Sequence, residues 1–308
     1  MVNAIGVAKI RTGMQKLFYI YIFCAFTVAN ALGQNLPNTN LYLFDVKKTG
    51  DSTFAFTNAQ YLSDFNPDGY NNQPCFMSDD ELFLTVGYPG DGQTDIYALD
   101  LSKNTKLQVT RTAESEYSPT LMPDGRNFSS VRVELNTGQA QRLWSFPFSR
   151  QTNGKPVFPN ILNIGYHYWL DSYRVALFIV GEPSYLAVGD VRDGSMEKLT
   201  TDIGRGFKTS PAGNLAYIHK ATESAWFIKE LNKETLRSRI IAPTLEGSED
   251  FCVMSDGTIL MGRGNKLYKY HPKLDTEWFE IADFRYYGIN AITRLAVNSR
   301  GQLALVGS

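Results

Sequence analysis

The sequence predicts an all-β chain folded as a six-bladed β-propeller, its last blade completed by strands from both termini. Three observations predict it. An aromatic residue recurs inside an apolar strand at Tyr42, Tyr97, Trp144, Tyr185, Trp226 and Tyr268, and from Tyr97 the intervals are about 47, 41, 41 and 42 residues. That is the period of propeller blades, whose faces stay exposed unless neighbouring sheets stack around an axis. A polar turn lies ahead of these strands, clearest at Met77-Ser78-Asp79-Asp80, Met122-Pro123-Asp124-Gly125, Ser210-Pro211-Ala212-Gly213 and Met254-Ser255-Asp256-Gly257. Finally, a sixth turn at Asn298-Ser299-Arg300-Gly301 and a strand at Leu303-Ala304-Leu305 are followed by no sixth aromatic strand before Ser308, and Tyr42 supplies one.

Taken in order, the first stretch reads as an export signal. Lys9, Arg11 and Lys16 lead into the apolar run Leu17–Phe26, which ends in Ala29-Asn30-Ala31. Basic, apolar and then small residues make a signal peptide over residues 1–31, cleaved after Ala31. Its strongly apolar part is about half of the ~20 residues a membrane span needs. The processed chain is therefore expected to carry no span and to be periplasmic or secreted. Cys24 has no lipobox ahead of it, and Met14 offers a second start.

Residues 32–308 are expected to form one propeller domain. Strands at 40–46 and 53–57 complete the blade begun by 292–297 and 302–306, which removes two exposed sheet edges. A long connection, 58–72, leads into blades at 73–112, 117–160, 166–202, 207–243 and 250–283. Pro presets φ, Asp and Asn bond their own backbone, and Gly takes φ > 0, so the polar turns have hairpin chemistry. The strand after each turn is apolar except in blade two, where Asn127-Phe128-Ser129-Ser130-Val131 is more polar.

These turns, with Asp95-Ile96-Tyr97-Ala98-Leu99-Asp100 and Leu107-Gln108-Val109-Thr110 after the first, resemble the WD-like repeats of TolB-type six-bladed propellers. The resemblance covers nearly all of the mature chain and is thinnest in blade three. TolB itself carries an additional amino-terminal α/β domain, for which this chain has no room. Similar repeats accompany the hydrolase domain of prolyl-oligopeptidase-type peptidases and occur in oligogalacturonate lyases, so the resemblance implies fold rather than activity.

With 30 basic against 31 acidic residues the formal net charge is -1, which gives no electrostatic case for nucleic acid as a partner. Cys75 and Cys252 occupy equivalent places in separate blades, too far apart for a disulfide, and are expected as free thiols. No Gly-x-Ser-x-Gly, His-Glu-x-x-His, Cys-x-x-Cys or P-loop occurs. The three histidines, His167, His219 and His271, fall at different blade depths and do not converge on a metal, although His167 is placed to see the channel. Asn66-Pro67-Asp68-Gly69 has the oxygens of a calcium loop without its closing acid, and reads as a solvated turn. Asn127-Phe128-Ser129 matches a glycosylation pattern but lies in an expected strand. No cofactor, metal or catalytic residue is expected.

Geometry remains. The loops that enter the innermost strands ring one mouth of the central channel, where propellers usually hold ligands. They include Asn71-Asn72-Gln73, Gly204-Arg205-Gly206 and Glu249-Asp250. Glu116, Tyr166, Arg205, Glu249 and Asn290 are the expected binding residues, one from each of five blades. Arg205 is expected either to meet a partner or only to neutralise Glu116 or Glu249 across the ring. The expected function is a binding module of the cell envelope, engaging an envelope or extracellular protein or a small ligand. The competing function is a hydrolase or lyase acting on glycans or peptides through mouth carboxylates such as Glu116, Glu249 and Asp250.

Overall fold

A computed structural model describes residues 36–150 and 152–308. The export signal and the cleavage site after Ala31 lie outside the described residues. The described strands form six four-stranded antiparallel sheets, the blades of a propeller. The chain begins with β1 (Asn40–Lys48) and β2 (Phe54–Tyr61). Blade one is β3 (Tyr70–Phe76), β4 (Glu81–Gly87), β5 (Asp95–Asp100) and β6 (Thr105–Gln108). Blade two is β7 (Ser115–Leu121), β8 (Asn127–Glu134), β9 (Ala140–Pro147) and β10 (Lys155–Pro156). Blade three is β11 (Ile164–Trp169), β12 (Arg174–Ile179), β13 (Tyr185–Asp190) and β14 (Met196–Thr201). Blade four is β15 (Ile203–Thr209), β16 (Leu215–Lys220), β17 (Trp226–Leu231) and β18 (Ser238–Pro243). Blade five is β19 (Phe251–Val253), β20 (Ile259–Arg263), β21 (Lys266–Tyr270) and β22 (Phe279–Asp283).

The chain closes with β23 (Ile292–Val297) and β24 (Gln302–Gly307), which share a sheet with β1 and β2 in the order β2-β1-β24-β23. Tyr42 lies opposite Leu305, and Asn40 opposite Gly307. The expected closure by both termini is therefore present.

The strands are apolar because both faces of each blade are covered. Along β1, Leu41 and Leu43 pack against Leu82, Leu84 and Val86 of blade one. The alternate residues Phe44 and Val46 pack against Leu260 and Leu267 of blade five. A period of two thus fills two different gaps from one strand. Six such clusters occupy the gaps between neighbouring blades, so the core is a ring of interfaces. The turns follow their chemistry. Asp124 accepts from the backbone N–H groups of Arg126 and Asn127 at 2.9 and 3.0 Å, while Gly125 takes φ = +61°.

Several boundaries differ from expectation. The connection into blade one is shorter than 58–72, because β2 runs to Tyr61 and β3 begins at Tyr70. Its asparagines are structural ties. Asn66 Nδ2 donates to Asn71 Oδ1 (3.2 Å) and Gly87 O (3.1 Å), and Asn71 Nδ2 donates to Thr39 O (2.9 Å), pinning the start of the chain to blade one. His219 lies within β16. The polar β8 is buried all the same: Ser129, Ser130, Arg132 and Glu134 are all enclosed, each with a hydrogen-bonding partner.

Candidate functional site

One cavity, of about 110 Å³, draws its lining from every blade. Gln73 and Pro74 come from β3, Ser118 and Pro119 from β7, and Tyr166 and His167 from β11; Arg205 and Lys208 come from β15, Asp250 precedes β19, and Arg294 lies in β23. These are the innermost strands, so the cavity is the axial channel.

The innermost strands are not regular there. Pairing slips between Asn72 and Cys75, between Tyr117 and Thr120, between Ile164 and Tyr166, between Ile203 and Phe207, and between Ile292 and Arg294. Five of the six innermost strands therefore bulge at the residues that line the cavity. A bulge frees backbone from the ladder and re-aims a side chain. In blades one and two a proline starts it, since Pro74 and Pro119 have no N–H for the ladder. The residues before them, Gln73 and Ser118, hold left-handed φ of +54° and +55°, which non-glycine residues rarely adopt. Gln73 locks both bulges together: its Oε1 accepts from Thr85 Oγ1 at 2.8 Å and from the Ser118 N–H at 2.9 Å.

Arg205 sits on the widest slip, between Gly204 and Gly206. These glycines serve close approach rather than turning, a correction to the expected loop. Neither has a positive φ, but a Cβ on Gly206 would lie 2.7 Å from Glu249 O, and one on Gly204 3.0 Å from Ile218.

The electrostatics are lopsided. Arg294 is buried, its Nε 3.4 Å from Asp250 Oδ2 and its Nη2 donating to the Tyr166 hydroxyl at 3.1 Å. Burial opposes its charge, but Asp250 and Tyr166 more than offset that and raise its pKa. Lys208 Nζ donates to Leu295 O at 2.7 Å and lies 4.0 Å from Asp250 Oδ1. The Leu295 N–H also donates to Asp250 Oδ1, at 3.1 Å. Asp250 thus lies between two cations and one backbone N–H, and three cations face one carboxylate. No carboxylate among the described residues pairs with Arg205.

His167 is buried, with its pKa pushed down to about 3 by burial, so the ring is neutral. Ser129 Oγ takes the Trp169 indole N–H at 2.9 Å and meets His167 Nε2 at 2.7 Å. Three buried polar atoms on cavity-lining residues have no hydrogen-bond partner: Arg205 Nε, His167 Nδ1 and Ser118 Oγ. Buried polar groups are rarely left so.

Of the five expected residues, the cavity brings together Tyr166 and Arg205. Glu116 is fully buried in β7, directly across from Arg132 in β8. Its Oε1 accepts from Arg132 Nε at 2.8 Å and Thr112 Oγ1 at 2.7 Å, and Arg132 stacks 4.0 Å over Trp144. Burial pushes the Glu116 carboxyl up to about 7, against the pull of Thr112 and Arg132. This pair explains the polar second strand of blade two. Glu249 accepts from Lys220, and Lys220 lies 4.5 Å over Trp226. Asn290 is exposed, its N–H donating to Ser308 O at 2.8 Å. Arg205 therefore neutralises neither glutamate. Lys208 and Arg294 are channel residues that the sequence reading missed. Among the described residues no group of three or more His, Cys, Asp or Glu could hold a metal ion. Cys75 and Cys252 are free thiols, and burial pushes Cys252 up to about 12.

No family model matches the chain, and no curated protein matches it in sequence. Solved structures do match. The putative TolB of Agrobacterium tumefaciens gives a TM-score of 0.62 at 12% identity, covering 88% of this chain and 98% of that one. TolB of Acinetobacter baumannii gives 0.55 at 15% identity over 87% of this chain, which spans only 64% of that protein's length. A putative gluconolactonase gives 0.57 at 12% identity, covering 86% and 97%. The likeness is one of fold. It joins this chain to TolB-type propellers and, equally, to an enzyme-named propeller.

Proposed function

We propose that this chain is an exported propeller of the cell envelope, periplasmic or secreted, that binds a partner protein or small ligand in its axial channel. The observation that carries the reading is the coincidence of bulged innermost strands, left-handed Gln73 and Ser118, and unpartnered buried polar atoms in one cavity. Strain and unmet hydrogen bonds gathered at one place are features that binding sites retain and cores eliminate. The basic, apolar and small-residue pattern of residues 1–31 supports export, and no helix among the described residues is long and apolar enough to cross a membrane.

The competing reading, a hydrolase or lyase, needs a carboxylate that can reach substrate. Within the cavity that group is Asp250, which is ion-paired with Arg294 and Lys208 and accepts from the Leu295 N–H. Glu116 has the raised pKa of an acid catalyst but no access. The likeness to both TolB and a gluconolactonase does not separate the two readings.

The test is capture from the host's envelope extract by immobilised residues 32–308. Arg205→Ala and Tyr166→Ala should each weaken the captured partner's affinity at least tenfold, about 1.4 kcal/mol, and Arg205→Ala should do so with its melting temperature barely moved. Unaltered affinity in both variants moves the binding surface off the channel.

A further inference from the structure

Resting on that reading, we infer that the group recognised inside the channel is a carboxylate. The cavity presents donors and almost no free acceptors. Arg205 has an unpartnered Nε and no acidic partner among the described residues, and His167 Nδ1 is likewise without a partner. Ser118 adds a hydroxyl with no partner. Arg205, Lys208 and Arg294 stand against the single acid Asp250, an excess of two positive charges in a space that holds one small group. An enclosed cation without a counter-charge is costly, and an incoming anion supplies what the fold leaves out.

Shape and lining select the kind of anion. A guanidinium presents two parallel N–H bonds that match the two oxygens of a carboxylate. The prolines at 74 and 119, with Phe207 and Leu295, also line the cavity and offer apolar surface to the carbon stem that a carboxylate always brings. Inorganic phosphate or sulfate has no such stem. Tyr166 and Lys208 are already held, by Arg294 and Leu295 O, so Arg205 is the group free to make the first contact.

The experiment uses residues 32–308 and calorimetric titration with succinate, with the blocked peptide acetyl-Gly-Glu-Gly-amide, with succinamide and with inorganic phosphate. Saturable one-to-one binding of succinate or of the peptide is expected, and which of the two binds tells a free acid from a partner's side chain. Succinamide should not bind. Arg205→Gln should weaken the carboxylate at least tenfold, and Arg205→Lys should restore part of the loss. Lys208→Met, read alongside, gives the same answer should Arg205→Gln disturb folding. The inference is overturned by no saturable carboxylate binding, by equal binding to Arg205→Gln and Lys208→Met, or by phosphate binding where carboxylates do not. Should carboxylates fail while a captured partner still depends on Arg205 and Tyr166, only this inference falls. Loss of that dependence too removes the channel-binding reading with it.

Discussion

Replacing Phe44 with Ala tests whether the amino-terminal strand is part of the propeller or an arm laid against it. Phe44 is fully buried in β1, with ring centroids 4.9 Å from Phe284 and 5.1 Å from Tyr287. It packs beside Leu260, Leu267, Leu303 and Leu305, so removal of the ring empties the gap between the shared blade and blade five. Phe to Ala in such a site costs about 3–5 kcal/mol, transfer and cavity terms together. That is a large part of the roughly 5–15 kcal/mol that holds a typical domain folded. With a urea m-value near 3 kcal/mol per M, the midpoint should fall by about 1–1.7 M. The assay is equilibrium unfolding of residues 32–308 followed by tryptophan fluorescence. A ring closed through β1 loses its midpoint with m unchanged. A shift below about 0.3 M, or a separate early transition confined to β1 and β2, would refute the reasoning, since the other blades would then stand without this strand.

Glu116 should make stability depend on pH. Its folded pKa of about 7 lies above the ordinary value of 4.5, so its contribution is fully present below 4.5 and lost as pH rises through 7. Glu116→Gln should abolish a loss of up to about 3 kcal/mol between pH 5 and 8, and parallel stability profiles for the two proteins would contradict this. Asp275→Ala should destabilise by about 3–5 kcal/mol in chemical denaturation, because it strands the buried Lys269, whose Nζ lies 2.8 Å from Asp275 Oδ1; a change under 1 kcal/mol would show the pair to be solvated. Amino-terminal sequencing of exported protein should begin within a few residues after Ala31, and recovery of a stably membrane-anchored full-length chain would count against processing there.

What the sequence made legible was the repeat, because turn chemistry and strand alternation are local. Met-Pro-Asp-Gly at 122–125 specifies its own hydrogen bonds, and Leu41, Leu43, Phe44 and Val46 announce a strand covered on both faces. The site was less legible because a bulge reverses the count of faces. Glu116 looks like a channel residue from its place at the start of β7, but its register opposite Arg132 turns it into the blade. Arg294 and Lys208 look like misplaced charges in the innermost strands Ile292–Val297 and Ile203–Thr209. That misfit was the usable signal: a charge in the middle of a strand packed on both faces has the channel as its outlet. The pairing of Arg294 with Asp250 and Tyr166 joins three blades, and nothing local encodes it.

The sharing of one blade between β1 and β24 also imposes an order in time. Tyr42 is made some 260 residues before its neighbour Leu305. Until β24 exists, β1 has only β2 to pair with, and a lone hairpin is marginal in water. Blades one to five can each form from contiguous chain as it appears, but the ring stays open until β23 and β24 have been made. Contacts so distant in sequence slow folding. Under the export proposed above, that delay would keep the first strands without their partner during the interval in which a finished ring would block passage.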